Sequence, residues 1–441
     1  MDEELQTPQN EKPNNVFRNK NFTLVFLGAL VSNIAALFYS FAVSFYILKI
    51  TENNALIQGL YLATGGVTFC LSTLVGGVVA DRFNKAKIMY ICDYIKGGII
   101  LGFTFLLMFV IKSVTWQIAS LFIVTVILNI IAGLFSPASS ALLPQIVEEN
   151  QFQQAQSYFS ILSSFQSIIG IVLAGVLYTL IPLNVLFFIV GGCYILSAIS
   201  EMFIKYTSKF EKRDEKLTLK ATFNDMRDGF KYLASIKALL VMMVCILFIN
   251  FFFAPVFDNF PPYFIATDIA GTNYLFHEHM KPEMWSSFFG VAVSVGSLIM
   301  GIVLSLLKQA EKCNRIVRRS MIGVSTLVIL MGVFYALFSN NIININTLLI
   351  ILLVILFLVG VSIILINVPS STAMMKIVDK DKFGKVTSVL NIGSQGLIPL
   401  ATLLGGLALT YMGSLGLLFV CGGGLLITSL VLFFAPSIRT I

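Results

Sequence analysis

The chain has 441 residues, 57% of them hydrophobic and only 12% charged, with a net charge of +7 and a mean hydropathy of +0.90. A soluble chain carries about 25% charged residues, and at half that density a fold of this size could not keep its surface wet. Disordered, fibrous, nucleic-acid-binding and disulfide-scaffold readings are excluded.

Uncharged runs such as Asn21–Leu48, Ser113–Val147, Asn150–Ser200 and Ser320–Met375 exceed the about 20 residues that cross a bilayer. Twelve spans are predicted, near 22–48, 55–80, 88–111, 116–142, 155–181, 183–204, 238–257, 284–307, 320–338, 347–369, 386–411 and 414–434. The start, with Pro8 and Pro13 among acidic and polar residues, lacks a basic n-region and a cleavage site, so residues 1–21 are expected to be a cytosolic tail. With that tail in the cytosol, 25 of the 29 Lys and Arg fall in cytosolic segments. Lys49, Lys112 and Lys281 lie in outer loops and Lys96 inside a span. The positive-inside rule then places both termini, including 437–441, in the cytosol of a multi-pass plasma-membrane protein. None of the six cysteines falls in an outer loop, and no CxxC or Cys/His cluster occurs, so neither a disulfide framework nor a metal site is expected. Abundant Lys, Asn, Ile and Phe suggest an AT-rich bacterial genome.

Span 1 carries Asn33 near mid-depth and the aromatics Phe38, Tyr39, Phe41, Phe45 and Tyr46. The loop after span 2 reads Gly76-Gly77-Val78-Val79-Ala80-Asp81-Arg82-Phe83-Asn84-Lys85-Ala86-Lys87. Each residue type has a physical task there. Glycines let a neighbouring helix approach closely, and Asp81 at a helix end can meet the positive N-terminus of another helix. Arg82, Lys85 and Lys87 can anchor the loop at anionic headgroups. Asn84 is the best substitute for glycine in a left-handed turn. This stretch resembles the GxLaDRxGRK signature of the major facilitator superfamily, and the expected fold is therefore all-α, with twelve transmembrane helices in two six-helix halves.

In span 3, Asp93 and Lys96 sit at i and i+3 and can pair. Span 4 contributes Asn129 but lacks the Arg usual in proton-coupled exporters of that superfamily. Span 5 has Gly170 and Gly175 without the Pro of the antiporter signature. Glu201 lies one turn from the cytosolic end of span 6 and is expected to stay ionised near water. The charge-dense segment 205–237 reads as a linker ending in an amphipathic surface helix, with Phe223, Met226, Phe230 and Leu233 at helical spacing. It separates halves 22–204 and 238–436. A trace of duplication joins them: Ile146-Val147-Glu148 with Phe152 and Ser157 recurs as Ile377-Val378-Asp379 with Phe383 and Ser388. Span 7 offers Asn250, Phe252 and Asp258, and span 10 offers Asn367. Two histidines around Glu278 in an outer loop read as surface rather than metal site.

Further stretches, Phe135-Ser136-Pro137-Ala138, Asn367-Val368-Pro369 and Met226-Arg227-Asp228-Gly229-Phe230, resemble the macrolide-efflux and enterobactin-exporter branch. The resemblance implies that spans 1, 4, 7 and 10 line a central cavity, making Asn33, Tyr39, Asn129, Asn250, Phe252 and Asn367 candidate substrate contacts. It also implies that Gly76, Gly77, Asp81, Arg82, Lys85 and Lys87 form a gate, Asp81 meeting span 11 near Val386. An amide in hydrocarbon needs a partner, so each Asn faces either substrate or a neighbouring helix. A cavity so poor in charge suits a neutral, lipophilic or mildly cationic molecule. No nucleophile–base set, phosphate-cradling loop or nucleotide signature occurs, so the chain reads as a secondary exporter by alternating access, not an enzyme, and no cofactor is expected. Uptake, lipid flipping and a non-transporting receptor or scaffold are the alternatives. Partners are a small-molecule substrate, the bilayer and, for coupling, protons, with the chain a monomer and no nucleic acid. Because burial favours the protonated acid, Asp258 and then Asp93 are the coupling candidates. Phe257, Phe260, Pro261 and Pro262 are expected to desolvate Asp258.

Overall fold

The computed structural model describes residues 16–148, 151–205, 227, 230–306, 313–377 and 395–434, and among them every regular element is helical. Asn19 caps the first helix, its side chain accepting from the Asn21 and Phe22 amides and donating to the Ile146 carbonyl at 2.6 Å. Asn21 exchanges hydrogen bonds with the backbone of Lys205. One end of the bundle is thereby tied together at the start of span 1 and the ends of spans 4 and 6. It also holds Lys20 and Lys85, and is called the basic end below.

Spans 1 to 4 are Lys20–Ile50, Ala55–Arg82, Lys85–Phe109 and Val114–Ile146. Span 5 joins Phe152–Phe165 to Ile171–Leu180 through a π-helical turn at Gln166–Gly170, and span 6 is Leu183–Met202. Span 7 starts at Lys237, and spans 8 to 10 are Met284–Leu306, Cys313–Ser339 and Ile345–Ile377. Eleven helices among the described residues are long and apolar enough to cross a membrane. The last of them, Ile398–Phe434, is two spans joined at Gly413, whose φ of 66° and ψ of −174° lie in a region that only glycine enters readily. Beyond Gly413 the chain runs back: Leu418 packs at Gly332, Ile329 at Gly422, and the Ser325 and Ser429 hydroxyls stand 2.8 Å apart. Span 12 is therefore antiparallel to span 9, and the described residues account for twelve spans.

The two halves repeat one packing scheme. A Cβ on Gly76 would run into the Gly133 carbonyl, so spans 2 and 4 meet backbone to backbone. Spans 8 and 10 do the same at Gly296 and Gly360, where the Ser297 hydroxyl donates to the Gly360 carbonyl at 2.9 Å. Small residues at such crossings give the van der Waals contact that holds helices together in lipid. Most of the second copy of the 146–157 sequence echo lies outside the described residues.

Four expectations change. Span 7 does not stop near 257: it continues to Ile269 through π-helical turns at Pro255–Asn259 and Ile265–Ile269. The wider turns accommodate prolines that lack an N–H to donate. Asn84 is not in a left-handed turn; at φ −60° and ψ 114° it is the N-cap of span 3, accepting from the Lys87 amide at 3.1 Å. Lys85 is buried rather than directed outward with Arg82 and Lys87, and Gly77 has nothing within 4 Å, so close approach is Gly76's alone. The surface helix is not among them: Phe223 and Met226 lie outside the described residues, Phe230 is exposed and Leu233 is fully buried.

Among the described residues, the halves meet from mid-depth to the end opposite the basic one, here the far end. The Ser287 hydroxyl donates to the Ile171 carbonyl at 2.9 Å, Lys281 to the Thr179 carbonyl, and Asn53 to the Ala266 carbonyl at 3.4 Å. Gly59 of span 2 meets Thr402 and Gly406 of span 11.

Candidate substrate cavities

Three of the cavities formed by the described residues bear on the site. The central one, about 390 Å³, is enclosed by both halves, from Phe41 and Phe45 of span 1 to Phe257 of span 7 and Phe289 of span 8. Among the described residues its lining is apolar and aromatic apart from a few hydroxyls, and Asp258 is the one charged side chain. The π-helical turn of span 7 presents that carboxylate to the open space, so Asp258 is exposed on the cavity. Phe257, Phe260, Pro261 and Pro262, expected to desolvate Asp258, line the same cavity beside it.

A second cavity of about 420 Å³ lies within the first half, bounded by spans 1, 2, 3, 4 and 6. Asn33, Tyr39 and Asn129 converge on it, with Lys96 as the one charged lining residue among those described. It shares Ser40 and Leu62 with the central cavity, so the two adjoin. Asn33 donates to Gln166 across the helix interface at 3.5 Å, and Asn129 to the Thr125 carbonyl at 2.9 Å. The Tyr39 hydroxyl is buried without a hydrogen-bond partner. The third cavity, about 140 Å³, repeats this arrangement in the second half, with Asn250 and Asn367 in its wall. Phe252 lines none of the three; its ring lies over Gly424 of span 12, which has no side chain to displace it.

Twelve antiparallel spans in two similarly packed halves around a shared cavity are one transporter architecture, and a family model described as the Major Facilitator Superfamily matches residues 24–402. The chain belongs to the major facilitator superfamily. Relatives within it include the uncharacterized MFS-type transporter YkuC of Bacillus subtilis (strain 168), 25% identical over 328 residues, covering 72% of this chain and 71% of YkuC. Macrolide efflux protein A of Streptococcus pyogenes is 24% identical over 324 residues, covering 71% of this chain and 73% of that protein. The solved structure of the nucleoside transporter NupG superposes with a TM-score of 0.70 at 11% identity, over 94% of this chain and 99% of that one. This facilitator is thus a multi-pass membrane transporter.

In the facilitator signature loop, the side chain of Asp81 and the start of span 11 near Val386 lie outside the described residues, as does any contact between them. Asp93 and Lys96 form an ion pair at 3.0 Å. The expectation for Glu201 is corrected: it is 0% exposed, and neither of its carboxylate oxygens has a hydrogen-bond partner. Its place one turn from a span end suggested access to water, but spans 1 and 3 close over it. Sequence reasoning missed the gathering of Glu201 with Asp93 and Lys96. The signal available was three ionisable residues within two spans of one half. Among the described residues no group of His, Cys, Asp and Glu could hold a metal ion, and His277 bonds its own loop at the Tyr274 carbonyl.

Proposed function

We propose that this facilitator is an ion-driven exporter, a drug–proton antiporter in type, that moves lipophilic molecules, neutral or weakly cationic, out of the cell by alternating access. The observation that carries the reading is the central cavity, an aromatic and apolar space between the halves with a single carboxylate, Asp258. Such a wall gains affinity by burying apolar surface, and one carboxylate favours a weak cation over an anion. The skewed distribution of Lys and Arg supports a cytosolic basic end and cytosolic termini, with residues 205–237 linking the halves. Contacts between halves at the far end then correspond to a cavity shut off from the outside. The relationship to macrolide efflux protein A supports export and suggests a macrolide as first probe.

The test is uptake of radiolabelled erythromycin, and separately of ethidium, into inverted membrane vesicles energised by respiration. Accumulation above vesicles lacking the protein supports export. Uptake only into right-side-out vesicles identifies an importer, transfer of fluorescent phospholipid between leaflets identifies a flippase, and movement of none of these leaves a receptor or scaffold.

A further inference from the structure

Spans 3 and 6 pack closely where Gly97 faces Gly191. Toward the basic end from that contact they enclose three ionisable side chains. Asp93 and Glu201 are 0% exposed and Lys96 is 6% exposed. Lys96 Nζ donates to Asp93 Oδ1 at 3.0 Å, while Asp93 Oδ2 and both oxygens of Glu201 have no hydrogen-bond partner. Span 1 closes the site: a Cβ on Gly28 would stand 3.0 Å from Glu201 Cγ and 3.1 Å from its Oε1, and the adjacent Ser197 hydroxyl is committed to the Gly28 carbonyl at 3.0 Å.

The charge count decides what this cluster holds. Two carboxylates and one ammonium leave a net negative charge if all are ionised, and the pair Asp93–Lys96 already accounts for the lysine. Glu201 would then be an anion without a donor in a dry site, which is strongly disfavoured relative to the neutral acid. The charged groups that act on it are Asp93 and Lys96 of span 3, and it acts in turn on the Cys92 thiol of the same span. Span 6 itself carries Cys193 and Tyr194 nearby in sequence, and span 1 has no ionisable residue between Lys20 and Tyr39.

We propose that Glu201 carries a proton, and that its release and rebinding is the step that couples the ion gradient to this transporter. On release the carboxyl O–H breaks, the electron pair stays on the carboxylate, and the proton passes to water admitted when the basic end opens. The cluster gains one negative charge and draws the Lys96 ammonium toward Glu201. That ammonium lies 4.3 Å from the Phe135 ring centroid and 5.2 Å from that of Tyr194, and all three residues line the cavity of the first half. Proton occupancy at Glu201 therefore changes the wall of a chamber that adjoins the central one. The coupling role rests on the reading of the chain as an ion-driven exporter; the protonation of Glu201 does not.

Two measurements on the full chain in lipid separate these. Infrared difference spectra at neutral pH should show a protonated-carboxyl band in wild type that is lost in Glu201→Gln. The band should also be lost in Asp93→Asn, because Lys96 then needs Glu201 as its counter-ion. Persistence of the band in Glu201→Gln overturns the assignment, and persistence in Asp93→Asn shows that the three groups are not one cluster. Next, spin-label distances across the basic end should differ between mildly acidic and mildly alkaline buffer in wild type. In Glu201→Gln they should stay at the acidic distribution. A pH response that survives in Glu201→Gln and disappears in Asp258→Asn moves the proton to the central cavity and sinks the proposal. In proteoliposomes with an imposed pH gradient, Glu201→Gln should lose uphill erythromycin accumulation and keep downhill exchange; full uphill accumulation by the variant overturns it. A wild type that moves no erythromycin counts against the export reading alone, and the infrared and distance measurements still decide the proton site.

Discussion

Gly76 and Gly77 are neighbours in sequence and opposites in environment, and alanine at each should separate their effects. A Cβ on Gly76 would lie 3.0 Å from the Gly133 carbonyl carbon and from Leu134 Cα, and closer still to the Gly133 oxygen, whereas a Cβ on Gly77 meets nothing within 4 Å. The obstacle at Gly76 is backbone, so no rotamer change relieves it. Spans 2 and 4 must separate by roughly 1 Å along their crossing, giving up dispersion contacts on both sides. Overpacking of this kind costs about 1–3 kcal/mol, and 2 kcal/mol is about a thirtyfold change in the unfolding equilibrium. At Gly77 the added methyl removes backbone freedom from the unfolded chain and raises helix propensity by up to about 1 kcal/mol. The assay is SDS-driven unfolding of the purified protein in mixed micelles, followed by circular dichroism. Gly76→Ala should unfold at lower SDS than wild type, and Gly77→Ala at the same or higher SDS. Equal midpoints for the two variants would refute the claim that backbone contact between spans 2 and 4 supports the first half.

Four further outcomes are expected. Asp81→Asn keeps the shape and removes the charge of the signature loop, so it should enlarge the population open at the basic end; unchanged spin-label distances there would refute a gate role. Cysteines at Gly175 and Ser287, 3.0 Å apart at Cβ, should crosslink the halves at the far end, in a background without the native cysteines. The crosslink should stop transport until reduced, whereas continued ligand movement in the oxidised protein would exclude alternating access. Leu233→Ala removes a fully buried side chain and should destabilise the protein by about 2–5 kcal/mol; an unchanged SDS midpoint would show that the surface helix is not docked. Asp258→Asn should weaken ethidium binding and leave an uncharged probe unaffected, with equal losses for both arguing against a charge-selective central cavity.

Span positions were legible because bilayer thickness imposes a length on apolar runs, and even the break between spans 11 and 12 falls at the predicted 412–413. Span 7 was misjudged because Pro255 and Asp258 signal termination to a rule based on α-helical bonding, while the chain takes wider π turns and goes on. The site was less legible than the fold. Asn33 and Asn129 do share a cavity, but Asn250 and Asn367 occupy another and Asp258 a third. Helical periodicity assigns a residue to a face; which helix covers that face depends on side-chain packing between spans distant in sequence. Glu201 shows this most clearly, since a position one turn from a span end says nothing about whether Gly28 of span 1 lies across it.

The one-residue connection at Gly413 has a mechanical meaning. With no loop between them, spans 11 and 12 share a single pivot, like two arms of a pair of tongs. The first arm bears on span 2 at Gly59 and Gly406, and the second on span 9 at Ser325 and Ser429. Any slide of span 11 against the opposite half must therefore swing span 12 as well, and through it the outer flank of its own half. Inserting a short flexible segment at Gly413 would cut that linkage while leaving every interhelical contact in place.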